Sequence, residues 1–177
     1  MRRVASAGAV LAVALLAGCG GSDGNGTKTF EAAEVPVTFR YPASWETSTD
    51  PSIASQAGGN AAFVRAVALD DHNVIVVETF DLNIAITKSN VNRAKPELDD
   101  VVAQLTDKPE TGKRVEFAGL PGFEYTVEVT DPVDAQSRAV FLFDGKTEIE
   151  LNCQSTSDKR SEVNEACDQA LSTLRKA

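Results

Sequence analysis

The sequence predicts an α+β fold, an antiparallel sheet of about six or seven strands covered by two or more helices. Short runs in which apolar and polar residues alternate, the period of half-buried strands, fill much of the chain after residue 34. Two segments instead carry apolar residues at helical spacing, and one of them lies at the C-terminus. Short turns join several strand runs as hairpins, which makes the sheet antiparallel.

The first half of the domain is predicted to hold three strands and one helix. Pro36 indicates that the first strand lies at or near a sheet edge, and Trp45 is predicted to fill one end of the core. Residues 74–77 are apolar on both faces, so their strand is predicted to be central. The strands cover residues 35–41, 62–69 and 74–80, and the helix after Pro96 carries the apolar stripe Leu98, Val101, Val102 and Leu105.

The second half is predicted to hold four strands in two hairpins, followed by a helix that docks on the sheet. Gly119–Gly122 is the predicted turn of the first hairpin, and Asp144-Gly145 is that of the second. The strands cover residues 115–118, 123–130, 138–143 and 146–153, and the helix carries the stripe Val163, Ala166, Cys167, Ala170, Leu171 and Leu174.

An export signal is predicted before the domain. Residues 1–18 combine basic residues with an apolar run that is shorter than the roughly 20 residues of a membrane-spanning helix. Leu16-Ala17-Gly18-Cys19 resembles a lipobox, which implies cleavage before Cys19 and diacylglycerol on its thiol. Residues 19–33 are then the lipidated cysteine and a flexible tether, and residues 34–177 form one domain. An ordinary signal peptide is the alternative.

Charge limits the partners of the mature chain. Without residues 1–18 it has 15 basic and 26 acidic residues, a net charge of −11. Such a surface repels nucleic acid and anionic lipid headgroups, so nucleic-acid binding is not expected. The predicted location is the cell envelope, on the extracytoplasmic face of a bacterial membrane, where two acyl chains on Cys19 hold the protein.

Two cysteines, Cys153 and Cys167, remain if Cys19 is acylated. An even number of thiols in an exported chain predicts a disulfide between them, which would pin the last helix to the sheet. A catalytic or metal-thiolate role is the alternative. It is disfavoured because the sequence has neither a Cys-x-x-Cys spacing nor a histidine near either residue.

No standard catalytic motif is found. The one histidine, His72, is predicted to lie in a solvated turn beside Asp70 and Asp71, although a metal site there is the alternative. No Gly-x-Ser-x-Gly elbow presents a nucleophile, and no phosphate-binding glycine loop is predicted, because Gly20-Gly21 and Gly58-Gly59 do not follow a strand and open a helix. We therefore expect no catalytic residue, no metal, no cofactor and no enzyme activity.

Two rows of carboxylates allow more than one interpretation. Glu124 and Glu128 form one outward row, and Glu148 and Glu150 form another. If the rows pair across the sheet, they could form a weak calcium site or an acidic docking face. A solvated face with ordinary acidity is the alternative. The loop at residues 46–60 is the predicted contact region.

Three segments resemble the PsbP-like fold. They are residues 37–45, with Tyr41-Pro42 followed by Trp45, then residues 120–125, and the closing hairpin and helix. That family includes the extrinsic subunit of photosystem II and many small exported bacterial lipoproteins. The resemblance implies a small binding or assembly-assisting domain without shared catalytic residues.

These observations predict a membrane-anchored, non-catalytic domain that binds an envelope protein or another envelope component. The second hypothesis is a carrier of a small apolar or lipid ligand. It requires a cavity between helix and sheet, lined by residues such as Val101, Leu105, Phe141 and Leu174. An unrecognised enzyme is the third.

Overall fold

The computed structural model describes residues 26–48, 61–106, 111–129 and 134–177. The predicted signal segment and Cys19 lie outside these residues. The described strands are β1 Thr27–Phe30, β2 Val37–Pro42, β3 Glu46–Ser48, β4 Phe63–Ala68, β5 Val74–Ile86, β6 Lys113–Phe117, β7 Leu120–Val129, β8 Ala135–Thr156 and β9 Arg175–Lys176. The helices are α1 Lys95–Leu105 and α2 Arg160–Thr173, and a 3-10 turn covers Val91–Arg93.

The strands form two antiparallel sheets, so the predicted α+β class is confirmed. The large sheet has the order β3-β4-β5-β8-β7-β6, and the small sheet has the order β1-β2-β9. Helix α1 covers one face of the large sheet, here called the α1 face. Helix α2 and the small sheet cover the other, the α2 face, where Trp45, Ile75 and Val163 share one core. Within the described residues, neither helix has the length and apolar character needed to span a bilayer.

Strand β8 folds back on itself and therefore takes two places in the large sheet. Its 22 residues would extend over about 70 Å if they were straight. Instead, the Ser137 hydroxyl donates a hydrogen bond to the Asn152 side-chain oxygen, and Gly145 adopts a φ of +64° between them. The first half of β8 pairs with β7 and the second half pairs with β5. This confirms the hairpin predicted at Asp144-Gly145.

The small sheet was not predicted, and it changes the place of two segments. Residues 27–30 lie in the predicted tether, yet they form β1, where Phe30 stacks on Phe39 with ring centroids 4.7 Å apart. Strand β2 is the middle strand rather than an edge, because β1 and β9 pair with it from either side. Pro36 does not interrupt this pairing, since β2 begins one residue later.

The turn between β6 and β7 also differs from the prediction. It consists of Ala118 and Gly119, both with positive φ, and Pro121 already belongs to β7. Two left-handed residues give the hairpin turn whose twist matches the strands. Gly122 is a glycine for another reason: a Cβ there would lie 1.9 Å from the Phe141 carbonyl oxygen.

Several local predictions are confirmed. Strands β4 and β5 form the expected hairpin, and Trp45 is buried in the core. Cys153 of β8 and Cys167 of α2 are joined by a disulfide, with their Cα atoms 6.1 Å apart. The bond links the helix to the sheet that it covers.

Candidate functional site

A groove runs between helix α1 and the large sheet. It consists of two adjoining cavities of about 570 Å³ and 240 Å³. We call it the α1 groove. The residues common to both cavities are Asp81, Leu82, Glu97, Leu98 and Glu148.

The groove exists because α1 is fixed over β7 and not over β5. Leu98 and Val102 of the helix are buried in one core with the aromatic residues of β7. The Tyr125 hydroxyl donates a hydrogen bond of 2.8 Å to Asp99 Oδ1, which holds the helix over that strand. The Lys95 ammonium, 2.7 Å from the same carboxylate, and the Tyr125 hydroxyl lower the pKa of Asp99. The part of the α1 face formed by the neighbouring strands β5 and β8 therefore stays partly open.

Apolar side chains form the wall of the groove. Phe80, Leu82, Leu98, Val101 and Phe141 line its wider part. Val101 is 43% exposed although it belongs to the apolar stripe of the helix. A ligand in the groove would bury this surface.

Three glutamates lie on the α1 face, at or beside the groove floor. Glu148 and Glu150 of β8 line the groove, and Glu78 of β5 lies directly opposite Glu150 in the strand register. Residues directly opposite on antiparallel strands point to the same face, with Cβ atoms about 5 Å apart. Glu78 has an exposed fraction of 0%.

None of these three carboxylates has a hydrogen bond or an ion pair within the described part of the chain. Both side-chain oxygens of Glu78 are buried without a donor. Glu124, in contrast, has an ion-pair partner, because it lies 3.2 Å from the Arg138 guanidinium. We call Glu78, Glu148 and Glu150 the groove glutamates. They are buried or half-buried acids without a counter-charge from the described residues.

Burial raises the pKa of all three groups. Desolvation raises the pKa of Glu78 to about 7. Desolvation, followed by the negative charge of Glu97, raises the pKa of Glu148 to about 7. The pKa of Glu150 rises to about 8 because of burial first and then the charges of Glu78 and Glu148. These acids change charge near neutral pH.

The expectation that the two carboxylate rows pair across the sheet is wrong. The alternative of a solvated face holds for Glu128, whose side chain is 60% exposed, but not for the half-buried Glu148 and Glu150. Glu124 and Glu128 face α2, because their partners Arg138 and Arg160 connect them to that helix. Glu148 and Glu150 lie on the α1 face. The fold-back of β8 causes this separation, since the even-numbered residues of its second half share a face with Phe141.

Sequence reasoning missed Glu78. It follows the apolar run at residues 74–77 and continues the row of Val74 and Val76 on the α1 face. An acid that takes the place of an apolar residue in such a row was the available signal. The structure adds that this acid lies opposite Glu150.

The other candidate residues lie elsewhere. His72 is exposed in the β4–β5 turn, where its backbone N–H donates to Asp70 Oδ1 at 2.9 Å. Leu174 is buried on the α2 face, so it cannot line a cavity with Val101.

The predicted contact loop is described only in part. Residues 46–48 of this loop form β3, and residues 49–60 lie outside the described residues. Among the described residues, no group of three or more His, Cys, Asp or Glu side chains could hold a metal ion.

Comparison with known proteins finds similarity in structure only. No protein-family model and no curated protein sequence matches the chain. The solution structure of cyanobacterial PsbP (CyanoP) from Synechocystis sp. PCC 6803 is 15% identical, with a TM-score of 0.60, over 92% of this chain and 99% of that one. A crystal structure from Bacteroides thetaiotaomicron VPI-5482 is 12% identical, with a TM-score of 0.55, over 86% of this chain and 49% of that one. The chain therefore has the fold of cyanobacterial PsbP, as its resemblance to the PsbP-like fold predicts.

Proposed function

We propose that the protein is a non-catalytic binding domain of the bacterial cell envelope, anchored through lipid on Cys19, whose ligand or partner binds in the α1 groove. The observation that carries this proposal is the groove. Its wider cavity of about 570 Å³ lies within the 300–1,000 Å³ range of ligand sites. Apolar walls beside a few convergent polar groups are typical of such sites.

The placement of the reactive side chains supports binding rather than catalysis. Cys153 and Cys167 are bonded to each other, and His72 lies in the turn that precedes β5, whereas residues 80–86 border the groove. The groove glutamates have perturbed pKa values, a property that catalytic acids share. Glu78, however, is fully covered and cannot touch a substrate. The PsbP-like fold also supports a binding or assembly-accessory role.

A carrier of a small apolar or lipid ligand is the second candidate. The apolar wall formed by Leu98, Val101 and Phe141 favours it. In this hypothesis the ligand lies between helix and sheet, as the sequence predicts, but Leu105 and Leu174 take no part in the described lining.

Photo-crosslinking from helix α1 tests the groove as the binding site. We expect a photoreactive phenylalanine analogue at Val101, in the lipidated protein within its own membranes, to give an adduct about tenfold stronger than the same group at Leu105. Leu105 is the matched control because it is 54% exposed on the same helix and does not line the groove. Mass spectrometry identifies and quantifies the adducts. Equal labelling from both positions contradicts the proposal.

Lipid anchoring is tested separately. Cys19→Ser is expected to release the protein into the aqueous phase or to leave the precursor uncut, because the variant lacks the thiol that carries two acyl chains. Detergent-phase partitioning and gel migration measure the effect. Gly21→Ala, in the same segment, is the control and is expected to partition like wild type. A Cys19→Ser variant that partitions and migrates like wild type rules out the anchor.

A further inference from the structure

We propose that the α1 groove selects an organic cation, a primary ammonium or guanidinium group on an apolar stem. The charged group lies against Glu148 and Glu150, and the stem lies along Leu98, Val101 and Phe141. This inference rests on the proposed function, because it names the ligand class of the same groove.

The charge of the lining favours a cation. Asp81, Glu97, Glu148 and Glu150 line the groove, whereas Arg93 is the one cation among the described lining residues. Arg93 borders only the narrower cavity. A cleft lined by charges of one sign focuses their field and concentrates ligands of the opposite sign. The wider cavity therefore attracts positive groups.

Glu78 is an independent observation that points the same way. Its carboxylate is fully buried beside Glu150, and neither oxygen has a donor. An unpaired buried carboxylate is strongly unfavourable when it is charged. When Glu78 is ionised, its field adds to that of Glu150, and no described side chain supplies a counter-charge to either group. A bound ammonium supplies that charge at the side chain of Glu150, which lines the cavity.

The apolar wall requires that the cation carry a stem. A bare metal ion would leave Leu82, Leu98 and Val101 without contacts, whereas an aliphatic or aromatic stem covers them. The rings of Phe80 and Phe141 line the same cavity and can also attract a cation at their faces. A fatty acid has a suitable stem but the wrong charge. Free amines and the side chains of Lys or Arg share the required chemistry.

The affinity for such a cation is expected to rise with pH. The groups that face the ligand are Glu148 and Glu150 of β8, with Glu78 beside them, Asp81 of β5, Glu97 of α1 and Arg93 before α1. The three groove glutamates lose protons as pH rises through about 7 to 8. An alkylammonium, with a pKa of about 10.4 like that of lysine, stays charged over this range. Charge complementarity therefore increases from pH 6 to pH 8.5.

Three probes of equal length test the ligand class: hexylammonium, 1-hexanol and hexanoate. Their affinities are measured by calorimetry at pH 6 and pH 8.5 on the lipidated mature protein in zwitterionic lipid nanodiscs. At pH 8.5 we expect hexylammonium to bind about tenfold more tightly than 1-hexanol, and hexanoate to show no binding. A capped Leu-Lys-Leu peptide distinguishes the sources: stronger binding than hexylammonium indicates a protein side chain, and weaker binding indicates a free amine.

Matched variants tie the effect to the groove. Glu150→Gln is expected to weaken hexylammonium binding about tenfold at pH 8.5 and to reduce its pH dependence. Glu148→Gln is a second variant with the same expectation. Glu128→Gln makes the same charge change on the α2 face and is expected to bind like wild type. Thermal unfolding confirms that each variant is folded.

Three outcomes overturn the ligand class. The first is that 1-hexanol or hexanoate binds as tightly as hexylammonium, and the second is that no probe binds. The third is that Glu128→Gln weakens binding as much as Glu150→Gln. In each case, preferential crosslinking from Val101 would still support the groove as a binding site, whereas equal crosslinking from Val101 and Leu105 would contradict the proposed function as well.

Discussion

The folded protein is expected to lose stability as pH rises from 5 to 8.5. A carboxyl group whose pKa is higher in the folded than in the unfolded state binds its proton more tightly when folded. Its stabilising contribution is complete below the unfolded pKa and is lost as pH rises through the folded pKa. For Glu78, a rise from 4.5 to about 7 corresponds to about 3 kcal/mol. Glu148 and Glu150 act in the same direction, although the three groups titrate together.

Glu78→Gln tests this expectation with little change in shape. The amide cannot ionise, so the loss of unfolding free energy between pH 5 and pH 8.5 is expected to shrink by about 2 to 3 kcal/mol relative to wild type. Urea denaturation at the two pH values measures it. Glu31→Gln removes the same charge at an exposed position and is expected to keep the wild-type pH dependence. If Glu78→Gln and wild type lose the same stability, Glu78 does not hold a proton in the folded state.

Local patterns allowed most of the large sheet to be predicted. Alternation identifies β7, and the Asp-Gly pair at residues 144–145 defines the fold-back of β8 because few turns suit two adjacent antiparallel strands. Trp45 and the stripe of α2 are buried as their apolar area predicts. The pairing of Cys153 with Cys167 follows from the cysteine count and the predicted export signal alone.

The features of the structure that the sequence did not predict depend on contacts between distant segments. Strands β1 and β9 are too short to show a period, and each exists because it pairs with β2. The alternation around Glu148 and Glu150 is the same whether their face is solvated or lies under a helix. What decides it is the position of α1, which contacts such as that between Tyr125 and Asp99 fix.

Loss of the disulfide is expected to have the other large effect. Replacing both Cys153 and Cys167 by Ala should lower the unfolding free energy by about 2 to 5 kcal/mol, because the unfolded chain loses its constraint and α2 loses its bond to β8. Urea denaturation of the variant and wild type measures this loss.

The same variant separates stability from binding. The disulfide lies in the α2-face core, whereas the groove lies on the α1 face. At low temperature, where the variant remains folded, crosslinking from Val101 is therefore expected to match that of the protein with both cysteines. Thiol titration of the unfolded, unreduced mature protein checks the premise. Two reactive thiols would show that the bond does not form, and the predicted stabilisation by the disulfide would then be wrong.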